Sequence, residues 1–249
     1  GLQYGDGLFE TMLVRGGRIR FEALHRARLA QGCSRLGFNL EPTEPWSQLQ
    51  ERARNTPQAL FKLLVTRGQA RQRGYAPAGD EQPRHVLYRF PAPPAPAGAL
   101  HVVRLEARLG ENPLLAGLKH CNRLELVLAA RELAGRQAGE GLLASSSGRL
   151  ISGTMSNVFV LRQGRWMTPR VDRCGIAGVM RAVVLREAEA SGQPVLEADL
   201  PFDVLEDCEA LCVSNVRLGL HPVDSLDGRP LARPDWALQM QARTGALDE

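Results

Sequence analysis

The segment GLKHCNRL, residues 117–124, is the most informative stretch of this chain. Its Lys119 is one of only two lysines, with Lys62, among 31 basic residues; all the others are arginines. Because arginine stays protonated and is a poor nucleophile, a reaction that needs a neutral amine has two side chains available. A lysine just ahead of a helix is also an ordinary surface residue, so this segment alone does not select a reaction.

Two further segments are suited to binding an anion. LISGTMSNVF, residues 150–159, places small hydroxyl residues and a glycine ahead of a strand, a backbone-rich loop that can hydrogen-bond an anion. GIAGVMR, residues 175–181, leads two glycines into a helix, where free N–H groups and the helix dipole favour a phosphate. Each has a plain alternative, an ordinary Ser/Thr/Asn turn and an isolated glycine motif.

Strand and helix patterns alternate on both sides of a proline-rich stretch. PAPPAPAG, residues 91–98, favours a stiff extended connector, so we predict a domain of residues 1–90, a linker of 91–98 and a domain of 99–249. Strands are predicted at 7–15, 59–66, 85–90, 100–105, 158–161, 166–168 and 211–214, and helices at 22–36, 122–134 and 176–190. This mixture indicates a two-domain α/β (α+β) protein.

Bulk composition excludes several classes of protein. The net charge is +4, but no block of five like charges indicates a nucleic-acid-binding arm. No apolar run exceeds the five residues 126–130, so we expect no membrane span. Five scattered cysteines are typical of a reduced cytoplasmic protein, and we expect no metal site at Cys208, Cys212 and His221.

Seven segments, taken in order, resemble one family, the fold-type IV pyridoxal-phosphate enzymes, which include D-amino-acid and branched-chain aminotransferases and aminodeoxychorismate lyases. The segments are QYGDGLFE (3–10), HRARL (25–29), VTRG (65–68), Lys119, GTMSNVF (153–159), GVMR (178–181) and SN (214–215). The resemblance covers almost the whole chain and implies the two-domain architecture of D-amino-acid aminotransferases. It also implies that the first strands of the family, which precede Gly5, are missing here.

The resemblance implies a role for specific residues. Lys119 would hold pyridoxal phosphate covalently, and Arg28, the last residue of the His-x-x-Arg pattern, would bind its phosphate. Val179 and Met180 would add backbone N–H groups at a helix start, and Asn215 would complete the phosphate side.

Within the family, the wording of the lysine segment is similar to that of the lyases. Asn112-Pro113, GLKHCNRLE (117–125) and RGY (73–75) carry this similarity. It implies elimination from 4-amino-4-deoxychorismate to give 4-aminobenzoate and pyruvate. Ser152 departs from the family, which usually has a glutamate there to face the pyridine nitrogen of the cofactor. A hydroxyl supports a weaker electron sink, and an elimination that forms an aromatic ring tolerates this better than transamination does.

The remaining expectations concern the substrate and the assembly. A substrate with two carboxylates suits an arginine-lined site, for which Arg67, Arg73 and Arg108 are candidates, with Tyr75 as a hydrogen-bond partner. The resemblance implies a homodimer, to which the loop around Tyr75 could contribute across the interface. Two alternatives stay open: an aminotransferase for D-amino or branched-chain acids, and a non-catalytic cofactor-binding or interaction protein.

Overall fold

The computed structural model describes residues 1–38, 43–69, 74–92 and 98–247. Arg73 and most of the predicted linker, residues 93–97, lie outside the described residues. The chain forms two compact units. Unit 1 comprises Gly1–Pro93 and Leu118–Asn122, and unit 2 comprises Pro94–Gly117 and Arg123–Leu247. The short segment that contains Lys119 therefore belongs to the first unit, although both its neighbours in sequence belong to the second.

Within the described ranges, unit 1 contains a four-stranded sheet and two helices. Its strands, in the order β2-β1-β3-β4, are antiparallel. The elements are β1 (Gly7–Arg15), β2 (Arg18–Ile19), α1 (Glu22–Leu36), α2 (Thr43–Arg54), β3 (Gln58–Thr66) and β4 (Arg84–Phe90). Gly16 and Gly17 connect β1 to β2 with φ of 57° and 78°, the left-handed pair that a two-residue hairpin turn requires.

Alternation along β1 directs one set of side chains into unit 1. Leu8, Glu10 and Met12 are all buried, and α1 covers this face. A Cβ on Gly32 of α1 would lie only 2.8 Å from Leu8, so the absence of a side chain there allows the close packing of helix and strand. The one carboxylate on this buried face, Glu10, therefore needs polar partners inside the unit.

The described part of unit 2 contains two five-stranded sheets and three α-helices. The first sheet has the order β14-β13-β5-β6-β7 and the second β10-β9-β8-β11-β12. In chain order, the first elements of unit 2 are β5 (His101–Leu109), α3 (Leu124–Ala134), β6 (Glu140–Ser145), β7 (Leu150–Gly153), β8 (Asn157–Arg162) and β9 (Arg165–Pro169). They are followed by α4 (Val179–Ala190), β10 (Leu196–Ala198), β11 (Ala210–Asn215), β12 (Gly219–Pro222), β13 (Ser225–Leu226), β14 (Arg229–Pro230) and α5 (Asp235–Ala246).

Two parallel strand pairs in unit 2 are joined through helices. β5 pairs with β6 in parallel across α3, and β9 pairs with β10 in parallel across α4. The apolar core between the two sheets includes Leu142, Val158 and Leu211. The predicted helices at 122–134 and 176–190 are confirmed, but α3 begins at Leu124 and α4 at Val179. The residues that precede each helix form backbone pairs with other segments instead. Ile176, for example, is bridged to Gly117 in unit 2.

Within the described part of the chain, no helix is both long and apolar enough to cross a membrane.

Candidate active site

Lys119 is held in unit 1 by backbone pairing with the first strand. The N–H of Phe9 donates to the carbonyl of Lys119 at 2.9 Å, and the N–H of Cys121 donates to the carbonyl of Gly7 at 2.9 Å. Because β3 pairs along the whole of β1 on one side and β2 covers only Val14 and Arg15, the lysine segment takes the open end of the other side. The position of the Lys119 backbone is thus fixed by a sheet, not by a loop.

The two lysines of the chain meet at one aromatic ring. The Nζ of Lys119 lies 4.3 Å from the centre of the Phe9 ring, and the Nζ of Lys62, on the neighbouring strand β3, lies 4.7 Å from the same centre. An aromatic face attracts a cation and shields it from water. Phe9 therefore helps to orient the amine that the sequence selects as a nucleophile.

Arg28 lies on α1 in a buried ionic cluster that we call the Glu10 cluster, which consists of Glu10, His25 and Arg28. The Nε of Arg28 donates to Glu10 at 2.8 Å, and its Nη2 donates to the other carboxylate oxygen. The Nδ1 of His25 contacts that second oxygen at 2.6 Å. The side chains of His25 and Glu10 are almost completely buried, and that of Arg28 is 12% exposed.

The charges of the Glu10 cluster follow from burial and from the short contacts. Burial alone would raise the pKa of Glu10, but the Arg28 charge and the hydrogen bonds from His25 and Arg28 outweigh it and lower the pKa to about 2. Burial lowers the pKa of His25 below its ordinary 6.5, against the pull of Glu10, so the imidazole is neutral at neutral pH. A neutral His25 donates from Nδ1 to the carboxylate. Its Nε2 has no hydrogen-bond partner among the described residues.

In unit 2, the turn after Ser152 is wrapped around a buried carboxylate. Glu140 accepts hydrogen bonds from the N–H and Oγ1 of Thr154 at 2.9 and 2.5 Å, from the Oγ of Ser156 at 2.7 Å and from the N–H of Met155 at 3.3 Å. A Cβ on Gly153 would lie 2.8 Å from this carboxylate, so only a glycine permits the approach. Ser152 itself is buried, and Glu140 fixes the turn that follows it.

Asn157 connects that turn to the start of α4. Its Nδ2 donates to the carbonyl of Ile176 at 2.9 Å. Its Oδ1 lies only 2.0 Å from the position that a Cβ on Gly178 would take, so a side chain there would clash with it. No side chain of the described residues caps α4, so the N–H groups of Val179 and Met180 are directed outward from its first turn. This is the arrangement that binds phosphates at helix N-termini.

Asn215 connects the same turn to the end of β11. Its Nδ2 donates to the carbonyl of Met155 at 3.2 Å, while its Oδ1 accepts from the N–H groups of Arg217 and Leu218 at 3.0 and 2.9 Å. The neighbouring Ser214 is 1% exposed, and its Oγ has no hydrogen-bond partner within the described ranges. A buried hydroxyl without a partner is a donor available to a ligand.

The candidate substrate residues are placed less favourably. Arg67 donates to Asp6 at 2.6 and 3.2 Å and to the carbonyls of Leu36 and Gly37 at 2.6 and 3.0 Å, where it neutralises the C-terminus of α1. The Nη1 of Arg108 contacts three carbonyls of its own strand, residues 105–107. The guanidinium of Arg67 and the Nη1 of Arg108 are therefore already hydrogen-bonded within the protein.

Tyr75 differs from these arginines because it is open to solvent. Its side chain is 87% exposed and packs beside the ring of Tyr4 at 5.0 Å. Arg73 lies outside the described residues. Among the residues that the structure does describe, no cluster of three or more His, Cys, Asp or Glu side chains is placed to hold a metal ion.

Sequence reasoning did not identify four of the residues that hold these groups in place: Glu10, His25, Glu140 and Asn157. The sequence could have identified Glu10, because this carboxylate stands at an alternate position of β1 whose other side chains on the same face are apolar. Glu140 stands at the start of a fully buried strand, a weaker sign of the same kind.

The fold and these groups define a class of protein. Residues 7–226 match the family model described as amino-transferase class IV, and the chain belongs to this family. Its mixed α/β architecture, with three sheets, is that of the fold-type IV enzymes.

Relatives in this family include lyases and aminotransferases. An aminodeoxychorismate lyase from Vibrio harveyi is 31% identical over 232 residues, which are 90% of this chain and 84% of that protein. A crystal structure of 4-amino-4-deoxychorismate lyase from Pseudomonas aeruginosa is 37% identical with a TM-score of 0.93, covering 100% of this chain and 94% of that one. A D-alanine aminotransferase from Bacillus licheniformis is 27% identical and covers 93% of this chain and 82% of that protein.

Proposed function

We propose that this chain is a pyridoxal-phosphate-dependent 4-amino-4-deoxychorismate lyase, which forms 4-aminobenzoate and pyruvate. The observation that carries the proposal is the segment around Lys119, which is similar to the lyases in sequence and is fixed on β1 by two backbone hydrogen bonds. The similarity to proteins named as lyases from Vibrio harveyi and Pseudomonas aeruginosa supports it.

Each unit, taken by itself, contains donor groups of the kind that pyridoxal phosphate requires. Lys119 supplies an amine for its aldehyde, and the guanidinium of Arg28 supplies a charged donor for its phosphate. In unit 2, the N–H groups of Val179 and Met180 and the partnerless hydroxyl of Ser214 are the kind of donors that a phosphate requires. Asn215 is proposed to complete the phosphate side, and Ser152 to face the pyridine nitrogen of the cofactor.

When bound, the cofactor supplies the electron sink for the reaction. The task of the protein is then proton transfer and orientation. With the cofactor held, the amine of Lys119 would remove the proton from the substrate carbon that bears the nitrogen, and the bond from the ring to the enolpyruvyl oxygen would break. Lys119 returns a proton to the leaving enolpyruvate, which becomes pyruvate, while the six-membered ring of the product becomes aromatic. Phe9 and the pairing with β1 hold Lys119 in the orientation that both transfers require.

The substrate carboxylates are proposed to meet Arg67, Arg73, Arg108 and Tyr75. The ion pair of Arg67 with Asp6 makes Arg67 the most costly of these to use, because binding a substrate would require the guanidinium to leave a part-buried partner. Tyr75 is the most accessible.

We also propose that the enzyme is a cytoplasmic homodimer, to which the loop around Tyr75 contributes. Exposed apolar side chains support an interface: Leu124, Val127 and Leu128 form one face of α3, and they are 71%, 61% and 55% exposed. Sedimentation equilibrium tests this, since a monomer at micromolar concentration contradicts it.

The test of the function is pyruvate release from freshly generated aminodeoxychorismate by cofactor-loaded protein. We expect pyruvate and 4-aminobenzoate in equal amounts, and we expect the Lys119→Ala variant to lose the activity by about a thousandfold or more, as befits the loss of both nucleophile and proton carrier. Lys62→Ala is the matched control, because it removes the only other lysine beside the same ring and should retain most of the activity.

The aminotransferase alternative is tested by adding amino acids to the same cofactor-loaded protein. If an amino acid converts the bound cofactor to its amine form and no pyruvate is released from aminodeoxychorismate, the chain is an aminotransferase. Ser152 favours the lyase, because a hydroxyl at this place supports a stabilised carbanion less well than a carboxylate does. A protein that binds the cofactor and performs neither reaction would be a non-catalytic binding protein.

A further inference from the structure

The Glu10 cluster contains a feature that phosphate binding by itself does not require. A buried arginine whose task is to attract an anion gains nothing from a carboxylate partner, because the carboxylate offsets the positive charge that the anion would feel. Yet Arg28, whose side chain is 12% exposed, gives both Nε and Nη2 to the almost fully buried Glu10 in a bidentate contact. This contact costs anion affinity unless it provides something else.

The bidentate geometry fixes the direction of the guanidinium. A flexible arginine side chain loses considerable rotamer freedom when it binds, and a partner that orders it beforehand removes that cost from the binding step. Since Glu10 contacts both Nε and Nη2, the plane of the guanidinium is set before any ligand arrives.

His25 holds Glu10 in turn. The Nδ1 of His25 lies 2.6 Å from the carboxylate oxygen of Glu10 that also accepts from the Nη2 of Arg28. His25 itself is one helical turn before Arg28, on the same face of α1. The strand residue therefore connects two helix residues at i and i+3, and none of the three side chains can rotate without breaking a buried contact.

We propose that Glu10, held by His25, positions Arg28 to bind the phosphate of the cofactor, and that the cluster trades part of the arginine charge for a fixed direction. Glu10 and His25 are positioning residues, since they act through Arg28. The inference rests on the proposed function in one respect, the role of Arg28 as a phosphate partner.

The experiment compares two ligands that differ only in the phosphate. Cofactor-free protein is titrated with pyridoxal phosphate and with pyridoxal, and absorbance of the bound form gives the two dissociation constants. Their ratio, pyridoxal over pyridoxal phosphate, measures how much the phosphate contributes to binding. We expect Arg28→Leu to reduce this ratio most, and Glu10→Gln to reduce it by about tenfold with the pyridoxal constant unchanged.

The sign of the Glu10→Gln effect separates positioning from simple charge balance. Removal of a counter-charge increases the affinity for an anion, whereas removal of a positioning partner decreases it. A ratio that rises or stays the same in Glu10→Gln, while Arg28→Leu still lowers it, overturns the inference and leaves the proposed function intact. An unchanged ratio in Arg28→Leu instead contradicts the phosphate role of Arg28.

Three further variants serve as controls for this result. The double variant Glu10→Gln/Arg28→Leu should be no worse than Arg28→Leu alone, because Glu10 acts only through the arginine. Glu22→Gln is the matched control on the same helix, since the partners of Glu22, Arg26 and Gln50, lie outside the Glu10 cluster. If Glu10→Gln does not fold, His25→Asn, which keeps the Glu10–Arg28 contact, should lower the ratio by about threefold, and an unchanged ratio there overturns the inference.

Discussion

Glu10 of unit 1 and Glu140 of unit 2 are both buried carboxylates, yet they have different kinds of partner. Glu10 faces a guanidinium and an imidazole. Glu140 faces backbone N–H groups and hydroxyls from one turn. The first arrangement fixes the direction of a charged side chain, and the second fixes the shape of a loop. The comparison shows that the donors around a buried carboxylate decide whether it orders a charged side chain or a loop.

The largest effect should follow from removal of the carboxylate that holds the loop. Glu140→Ala leaves several buried donors of the 154–156 turn without an acceptor, so we expect a loss of about 4 kcal/mol in the free energy of unfolding. Urea denaturation measures it. Glu140→Gln, which keeps one acceptor oxygen, should lose less, and Glu189→Ala on the exposed face of α4 is the control, with almost no change. Equal losses in the Ala and Gln variants would argue that the charge alone matters.

A smaller effect, specific to unit 1, should appear in acid. The pKa of Glu10 is about 2 in the folded chain against an ordinary 4.5. Because its folded-state value is the lower one, Glu10 stabilises the fold fully above pH 4.5, and this contribution is lost as the pH falls towards 2. The full contribution is about 3 kcal/mol. Glu10→Gln should therefore flatten the stability curve between these two pH values, as measured by chemical denaturation at each pH. Parallel curves for the variant and the original protein would show that the expectation is wrong.

The smallest loss of stability should follow from removal of an uncharged side chain that holds the site, Asn157. Asn157→Ala removes a buried amide that donates to the carbonyl of Ile176, at a cost of about 2 kcal/mol. Since no charge is involved, the loss should be the same at pH 4 and pH 7 in thermal unfolding. A loss that changes with pH would mean that a titrating group depends on this side chain.

The sequence predicted most elements because their patterns are local. β1 and α1 have the predicted bounds, since alternation and helical spacing are read within a few residues. α4 begins at Val179 and not at Ile176 because Ile176 is used in pairing with Gly117, a contact across 59 positions that no local pattern reveals.

The candidate site was predicted to the extent that the residues carry unusual chemistry. Lys119 stood out because lysine is so rare in this chain, and Arg28 followed from the family resemblance. The residues that hold them were not predicted, because Glu10 finds its partners 15 and 18 residues away. Arg67 was predicted to bind substrate, and its ion pair with Asp6 spans 61 positions.

Because residues 118–122 belong to unit 1, expression of the chain as two fragments cut near the unit boundary would separate Lys119 from the strand that holds it. A fragment ending near Pro93 would contain Phe9 and Arg28 without their lysine, and the complementary fragment would carry Lys119 on a segment with no strand to pair with. Because Lys119 would lack the strand that orients it, we expect each piece to be labelled by pyridoxal phosphate and borohydride less efficiently than the intact chain. Covalent trapping would then report reassembly of the two fragments, which makes the chain a natural candidate for a split reporter of protein association.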